Sequence, residues 1–440
     1  MKKSMVAGTA AVVGGGALGG SVVFFEPGFA FVAPLLASVL LLFLLVRWLA
    51  PGPGESSRIM WWTMTAFVSH LAFGLVVAHA GGLISGLLEA PDAITYNLQA
   101  RRLHQHWTGD FPVPWLPPGK EGYYYMLAGL YWLFGEHAIV GLVVNAMLGA
   151  ALVPIVSDTT HRLFGPAAAS KVPPLVLLLP SMMLWLSQPI KEAPIVLLVA
   201  LGANGATRLT ERFTLLPLAC VALSMTLLLT FRGHVALVIA GGLVAAVVGG
   251  RREVLGGLGA GVAMASLVVI LLSFGLGYSG FDAAVNADLD QANIVRRDLA
   301  VSGRSGYDHN VDISTSSQAL TYLPRGLLNF VLGPFPWQIR GIRQMPVVPD
   351  MLAWWALIPA LWRGISEGWR RLSRRILVPL LPAFTAACLL SLAVGNFGTL
   401  VRERLQVIIL LVPVIAFGLT QRRRAGPPDE ERSDQLVLAR

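Results

Sequence analysis

Apolar runs of roughly 15 to 25 residues recur along the chain, separated by charged clusters or by Pro and Gly. They predict helical membrane spans near 4–25, 30–49, 59–83, 137–156, 172–188, 192–207, 213–230, 233–249, 254–277, 350–363, 377–395 and 405–420. A span needs ~20 predominantly apolar residues, so the pair at 172–188 and 192–207 and the run at 350–363 are the shortest candidates. The pattern predicts an all-α polytopic membrane protein with about 12 transmembrane helices, a multi-span unit over 1–421 and a polar, proline-interrupted tail over 422–440. The N-terminal run resembles a signal peptide but continues apolar to Phe25 and is followed by another span, which favours an uncleaved first helix.

Composition supports the class. Of 440 residues, 55% are hydrophobic and 13% charged, where a soluble domain carries about a quarter. The net charge of +9 does not mark a nucleic-acid partner, because Lys and Arg fall in short clusters between apolar runs. With a cytoplasmic N-terminus, alternate turns collect Arg58; His161, Arg162 and Lys171; Arg208 and Arg212; and Arg363, Arg370, Arg371, Arg374 and Arg375 on the inner side. Both termini are then cytoplasmic, in a plasma (inner) membrane. Cys220 and Cys388 sit in apolar stretches and predict small buried side chains.

Three segments remain for the outer face: 84–136, 278–349 and 396–404. In the first, Asp92 follows Pro91, and Tyr96 and Gln99 or Ala100 would share its helix face. A carboxylate at a membrane face calls for a partner or a task; capping the helix at Ala93 is the competing explanation. Lys120, Glu121, Tyr123, Tyr124 and Tyr125 precede a short apolar stretch, 122–134, suited to a surface helix, although an interfacial aromatic belt also accounts for the tyrosines. His104 and His106 do not complete a metal site, and no metal or cofactor is expected.

The second segment alternates acids with Arg296, Arg297 and Arg304, then turns amphipathic, with Arg325, a Pro-Phe-Pro-Trp turn, Arg340 and Arg343. Cations beside aromatics suit a phosphate-bearing lipid or, equally, headgroup anchorage. The third places Arg402 and Arg404 outside, with Glu403 between them. Outward arginines oppose the positive-inside trend and call for an anionic partner, or for neutralisation by Glu403.

With these motifs in view, the chain resembles membrane glycosyltransferases of the GT-C class, in particular the protein mannosyltransferase and aminoarabinose transferase group, and also membrane proteins of exopolysaccharide gene clusters. The resemblance rests on Asp92 in APDAITY, on Pro117 and Pro118 ahead of Tyr123–Tyr125 and LYWLFG, and on Asn145, Leu163–Gly165, Pro180 and Glu192 with Lys191 beside it. Arg402 or Arg404 before the last span and the YLPRGLLNFVLGPFPW run complete it. Two spans precede the one leading to Asp92, where the family usually has one.

The resemblance implies transfer of a sugar from a polyprenyl-phosphate donor to a lipid, glycan or protein acceptor on the outer face. Asp92 would act as base or acceptor-positioning group. Arg404, Arg402, Arg340 and Arg325 would bind the lipid phosphate, and Tyr96, Lys120, Glu121, Tyr123 and Tyr124 would line the substrate pocket. The alternatives are a repeat-unit polymerase using polyprenyl-diphosphate glycans, a flippase of lipid-linked sugars, or a scaffold.

Overall fold

A computed structural model describes residues 28–50, 52–79, 88–250, 254–302, 305–339, 341 and 344–421. The expected span 4–25, the tail 422–440, Arg340 and Arg343 lie outside the described residues. The described residues form helices with no strand ladder, only one isolated bridge between Gly306 and Asn396. Among the described residues, seven helices are long and apolar enough to cross a membrane, eight if one bent pair counts as a single span. The chain is a multi-pass membrane protein, but the expectation of about 12 crossing helices is not reached among the described residues.

The first crossings are α1 (Gly28–Leu49) and α2 (Pro53–His79). Next come two helices at one end of the bundle, α3 (Asp92–Thr108) and α4 (Gly122–Phe134). Helix α3 stops at Gly109, whose φ of 90° permits the closing bonds from Gly109 N to His106 O and from Asp110 N to Gln105 O. Helix α5 (Ala138–Phe164) returns through the bundle and ends at Gly165, φ 84°. Short α6 (Pro166–Ala169) and α7 (Val172–Leu178) follow, and α8 (Pro180–Leu186) is bent 60° from the preceding stretch. The break has a local cause: Leu179, forced from the helical region by the following proline, is extended at ψ 117°. The expected single span 172–188 is therefore a broken one.

Helix α9 (Glu192–Glu211) leads to α10 (Leu215–Gly250), 36 residues with a break at Arg232 (φ −162°, ψ 80°). A straight helix of this length would be ~54 Å long. Yet Gly250 lies against Thr210 and Arg374, while Leu215 begins four residues after Glu211, so both ends of α10 sit at the same end of the bundle. Met225 and Leu243 likewise meet one glycine, Gly202. The chain thus folds back at Arg232, and the two legs match the runs 213–230 and 233–249.

Helix α11 (Val254–Ser273) crosses again. Then α12 (Tyr278–Val285), α13 (Leu289–Ser302) and the amphipathic α14 (Ser316–Leu332) lie in the second polar segment. A Thr315–Gln318 capping box starts α14. The last three are α15 (Val347–Leu372), α16 (Leu377–Ala393) and α17 (Phe397–Thr420). Helices α15 and α17 are not among those seven; α15 is amphipathic, and α17 carries Arg402, Glu403 and Arg404 near its start. Their lengths, ~39 and ~36 Å at 1.5 Å per residue, still exceed a hydrocarbon core of ~30 Å.

Glycines set that last pairing. Gly364 packs on Val414 and Gly418 on Ala360, so the two helices run antiparallel in close contact. A Cβ at Gly418 would collide with the Ala360 carbonyl, whereas one at exposed Gly259 meets nothing within 4 Å. Overpacking costs about 1–3 kcal/mol. Gly418→Leu should therefore lower the thermal midpoint in detergent, while Gly259→Leu should leave it unchanged.

Candidate functional site

Four polar turns converge at one end of the bundle. Asp92 is the first residue of α3, yet its side chain makes no capping bond. Its Oδ2 instead accepts from Arg402 Nη1 at 2.7 Å, across 310 positions of sequence. Arg402 is in the first turns of α17, which Asn396 starts by accepting from Gly398 N and Thr399 N. Arg402 Nε also pairs with Glu192 Oε1 at 3.1 Å. The same oxygen accepts from Arg232 Nη2 at 3.2 Å, and Arg232 Nη1 lies 3.3 Å from Glu403 Oε1. The result is a row of alternating charge: Asp92, Arg402, Glu192, Arg232, Glu403.

The local backbone explains how the row is held. Asn145 donates to the carbonyls of Gln188 and Ile190, fixing the turn ahead of Glu192. Gln188 accepts from Ala90 N at 2.7 Å and donates to Leu88 O at 3.0 Å, tying that turn to the one before Asp92. Asp92 and Glu192 each open a helix, where the unsatisfied N–H groups favour a negative charge. Arg232 comes from the elbow of α10, closed by glycine: Gly233 lies against the Gly280 carbonyl, leaving no room for a side chain.

Burial grades along the row. The Glu192 side chain is 1% exposed and Arg232 is nearly as covered, whereas Asp92 is 45% exposed. Asp92 therefore presents its remaining oxygen to solvent or substrate. Lys191, buried beside Glu192, has its ammonium pushed down to about 7, chiefly by burial and then by Arg232, against the opposing pull of Glu192. Lys120 contributes to the same positive field from an exposed position. The Tyr96 phenol is held well above its ordinary value by burial and the carboxylates of Glu192 and Asp92, so it stays protonated.

Two cavities flank the row. One, about 1150 Å³, is walled by Trp115, Met126, Leu197, Leu227 and Phe231 and reaches Glu121 and Ser279. It passes beside the row, since Pro194 and Phe231 line it. The other, about 600 Å³, reaches Ala93, Asn97, Tyr131 and Gln188 on the other side of Asp92.

Among the residues expected here, Asp92, Tyr96 and Arg402 come together, with Lys120 nearby. Tyr123 and Tyr124 are buried against Tyr96, with ring centroids 4.9 and 5.2 Å away. They pack on Tyr96, four residues along α3 from Asp92. Glu121 bonds Ser279 and its neighbour Lys120 N at the rim of the larger cavity. Arg402 is occupied by two carboxylates rather than free for a phosphate.

Arg404, two residues on, points to the other side of α17. It is buried and donates to Gly333 O, away from the row. Arg325 pairs with Asp308, which also accepts from Tyr322 and Asn329 in a separate cluster. His104 and Arg101 both pair with Glu136. Arg232 went unnoticed in the sequence, although an arginine inside the apolar stretch LLLTFRGHVALV is a recognisable signal.

Losing one partner of a buried pair costs about 3–5 kcal/mol, and an exposed pair about 0–1 kcal/mol. Glu192→Gln should therefore destabilise the detergent-solubilised protein strongly, and Asp92→Asn slightly. Thermal unfolding of the two variants side by side tests the grading; equal losses would refute it.

No family model matches the chain, and no curated protein matches it. Solved structures do, two of ArnT among them. ArnT from Cupriavidus metallidurans bound to undecaprenyl phosphate gives a TM-score of 0.54 at 16% identity, over 87% of this chain and 63% of that one. The same protein in the apo state gives 0.53 at 15% identity, over 88% and 63%. The chain thus spans about 63% of the length of the ArnT chain it matches. The resemblance suggested by the sequence motifs is borne out at the level of the fold, which this chain shares with an aminoarabinose transferase of the GT-C class.

Proposed function

We propose that the chain transfers a sugar from a polyprenyl-phosphate donor to an acceptor hydroxyl, with Asp92 as the base or positioning carboxylate. The observation that carries this is the Asp92–Arg402 pair, which leaves the other carboxylate oxygen of a 45% exposed side chain free of protein partners. The free oxygen is placed to accept a proton or to orient the acceptor hydroxyl. During transfer the bond from the sugar anomeric carbon to the phosphate oxygen breaks and a bond to the acceptor oxygen forms. The acceptor proton passes towards Asp92 as that bond develops.

The larger cavity suits the donor. Its Leu197, Leu227 and Phe231 walls are apolar enough for a prenyl chain, and Glu121, next to exposed Lys120, lines its polar end. The Lys120 ammonium would bind the phosphate and stabilise the charge that grows on it as it leaves. The smaller cavity, reaching Ala93 and Gln188, is then available to the acceptor, be it lipid, glycan or protein. ArnT, with the same fold, has been captured with undecaprenyl phosphate, which agrees with a lipid-linked donor. A polymerase driven by two free outward arginines fits less well, because Arg404 is buried and Arg402 is neutralised.

Arg58, Arg162, Arg208 and Arg375 gather at the end of the bundle remote from Asp92. The positive-inside tendency supports a cytoplasmic position for that end and a reaction on the outer face.

In proteoliposomes supplied with a labelled polyprenyl-phosphate sugar, wild type should transfer the sugar. Asp92→Asn should fall at least about 100-fold, the low end of the contribution of general acid–base catalysis. Undiminished transfer by folded Asp92→Asn would overturn the role given to Asp92.

A further inference from the structure

The end remote from Asp92 holds its own polar cavity, of about 490 Å³, lined by Arg162, Arg208, Glu211, Arg212, Thr214 and Pro217. Beneath it lies Asp158, almost fully buried, which accepts from Arg162 Nε at 3.0 Å, Arg208 Nη2 at 2.9 Å and Asn204 Nδ2 at 2.7 Å. Arg208 is braced further by Asn204 Oδ1 at 3.0 Å and lies 5.5 Å from the Trp48 ring centroid. Glu211 accepts from Arg162 and Arg375, each at 2.8 Å.

Charge does not balance here. Three guanidiniums, those of Arg162, Arg208 and Arg375, share two carboxylates, Asp158 and Glu211, and a fourth, that of Arg212, adds to them. Arg212 lies on the cavity wall and is exposed, with no carboxylate partner among the described residues. Two arginines held in place by buried acceptors and one unpaired arginine, around an open polar space, form a preorganised anion receptor.

Its position identifies the anion. Trp48, Phe213, Leu215 and Leu216 expose large apolar surfaces around the same turn. Trp48 is stacked beneath Arg208, and tryptophan marks the headgroup level of a bilayer. An occupant of this cavity can therefore place a phosphate among the arginines and its acyl chains along Trp48 and the start of α10. We propose that the cavity binds the phosphodiester headgroup of an anionic membrane phospholipid. Basic pockets between membrane helices are suited to such headgroups. The assignment is independent of the transfer reaction, because none of its residues touches the row that contains Asp92.

Native mass spectrometry of the detergent-purified full chain tests it. Phosphatidylglycerol and phosphatidylcholine with the same acyl chains would be titrated separately, with excess inorganic phosphate as a third arm. Wild type should retain one phosphatidylglycerol in preference to phosphatidylcholine, and inorganic phosphate should not displace it. Arg212→Gln should weaken phosphatidylglycerol binding about fivefold, the scale of one basic residue at an anionic surface. Arg212→Lys should keep most of the affinity, which separates charge from folding. Arg58→Gln, at the same end but paired with Glu55 outside the cavity, should bind like wild type. Equal retention of the two lipids, an unaffected Arg212→Gln, or full displacement by inorganic phosphate would overturn the proposal.

Discussion

A charge cannot be buried at a membrane boundary unless an opposite charge meets it, and in this protein one carboxylate answers two guanidiniums. Glu192 Oε1 lies 3.1 Å from Arg402 and 3.2 Å from Arg232. Every other group in the row depends on that shared oxygen: Arg402 is then aimed at Asp92, and Arg232 at Glu403. The surrounding architecture serves this contact. The broken α7–α8 stretch delivers the turn before Glu192, the fold-back in α10 delivers Arg232, and the cap at Asn396 orients the first turns of α17. Alternation keeps the row nearly neutral, so Asp92 stays exposed at its end without leaving an unpaired charge in the apolar interior.

The membrane character and most helix positions were legible in the sequence, because run length and apolar content are local properties. The Gly122–Phe134 helix was legible for the same reason, as was the turn at residues 231–232 between two runs. The number of crossings was less so. Pro180 interrupts a run without ending its passage, and α17 takes Arg402, Glu403 and Arg404 into the body of a helix rather than leaving them in a loop. A hydropathy pattern cannot distinguish those outcomes, since the difference depends on whether the charges find partners.

The site was legible in part. Asp92 stood out because a carboxylate after a Pro beside a membrane face needs a reason. Its reason is 310 positions away, and no spacing rule spans that gap. Arg402 and Arg404 looked equivalent in sequence, but two residues on a helix separate them by most of a half-turn of direction. One meets Asp92 and the other Gly333 O. The tyrosines of YYY were recognised as neighbours of the site, yet which of them are covered depends on Tyr96 packing against two of their rings.

The distance along the chain between Asp92 and Arg402 also bears on how the protein is made. At ~5–20 residues per second, the ribosome needs roughly 15–60 s after adding Asp92 to add Arg402. Glu192 similarly leaves the ribosome well before Arg232 and the last helix can reach it. For that interval Asp92 lacks Arg402, and Glu192 has at most Arg232 as a partner. The row is therefore completed in the order of synthesis, and only a chain that has added α17 can close it.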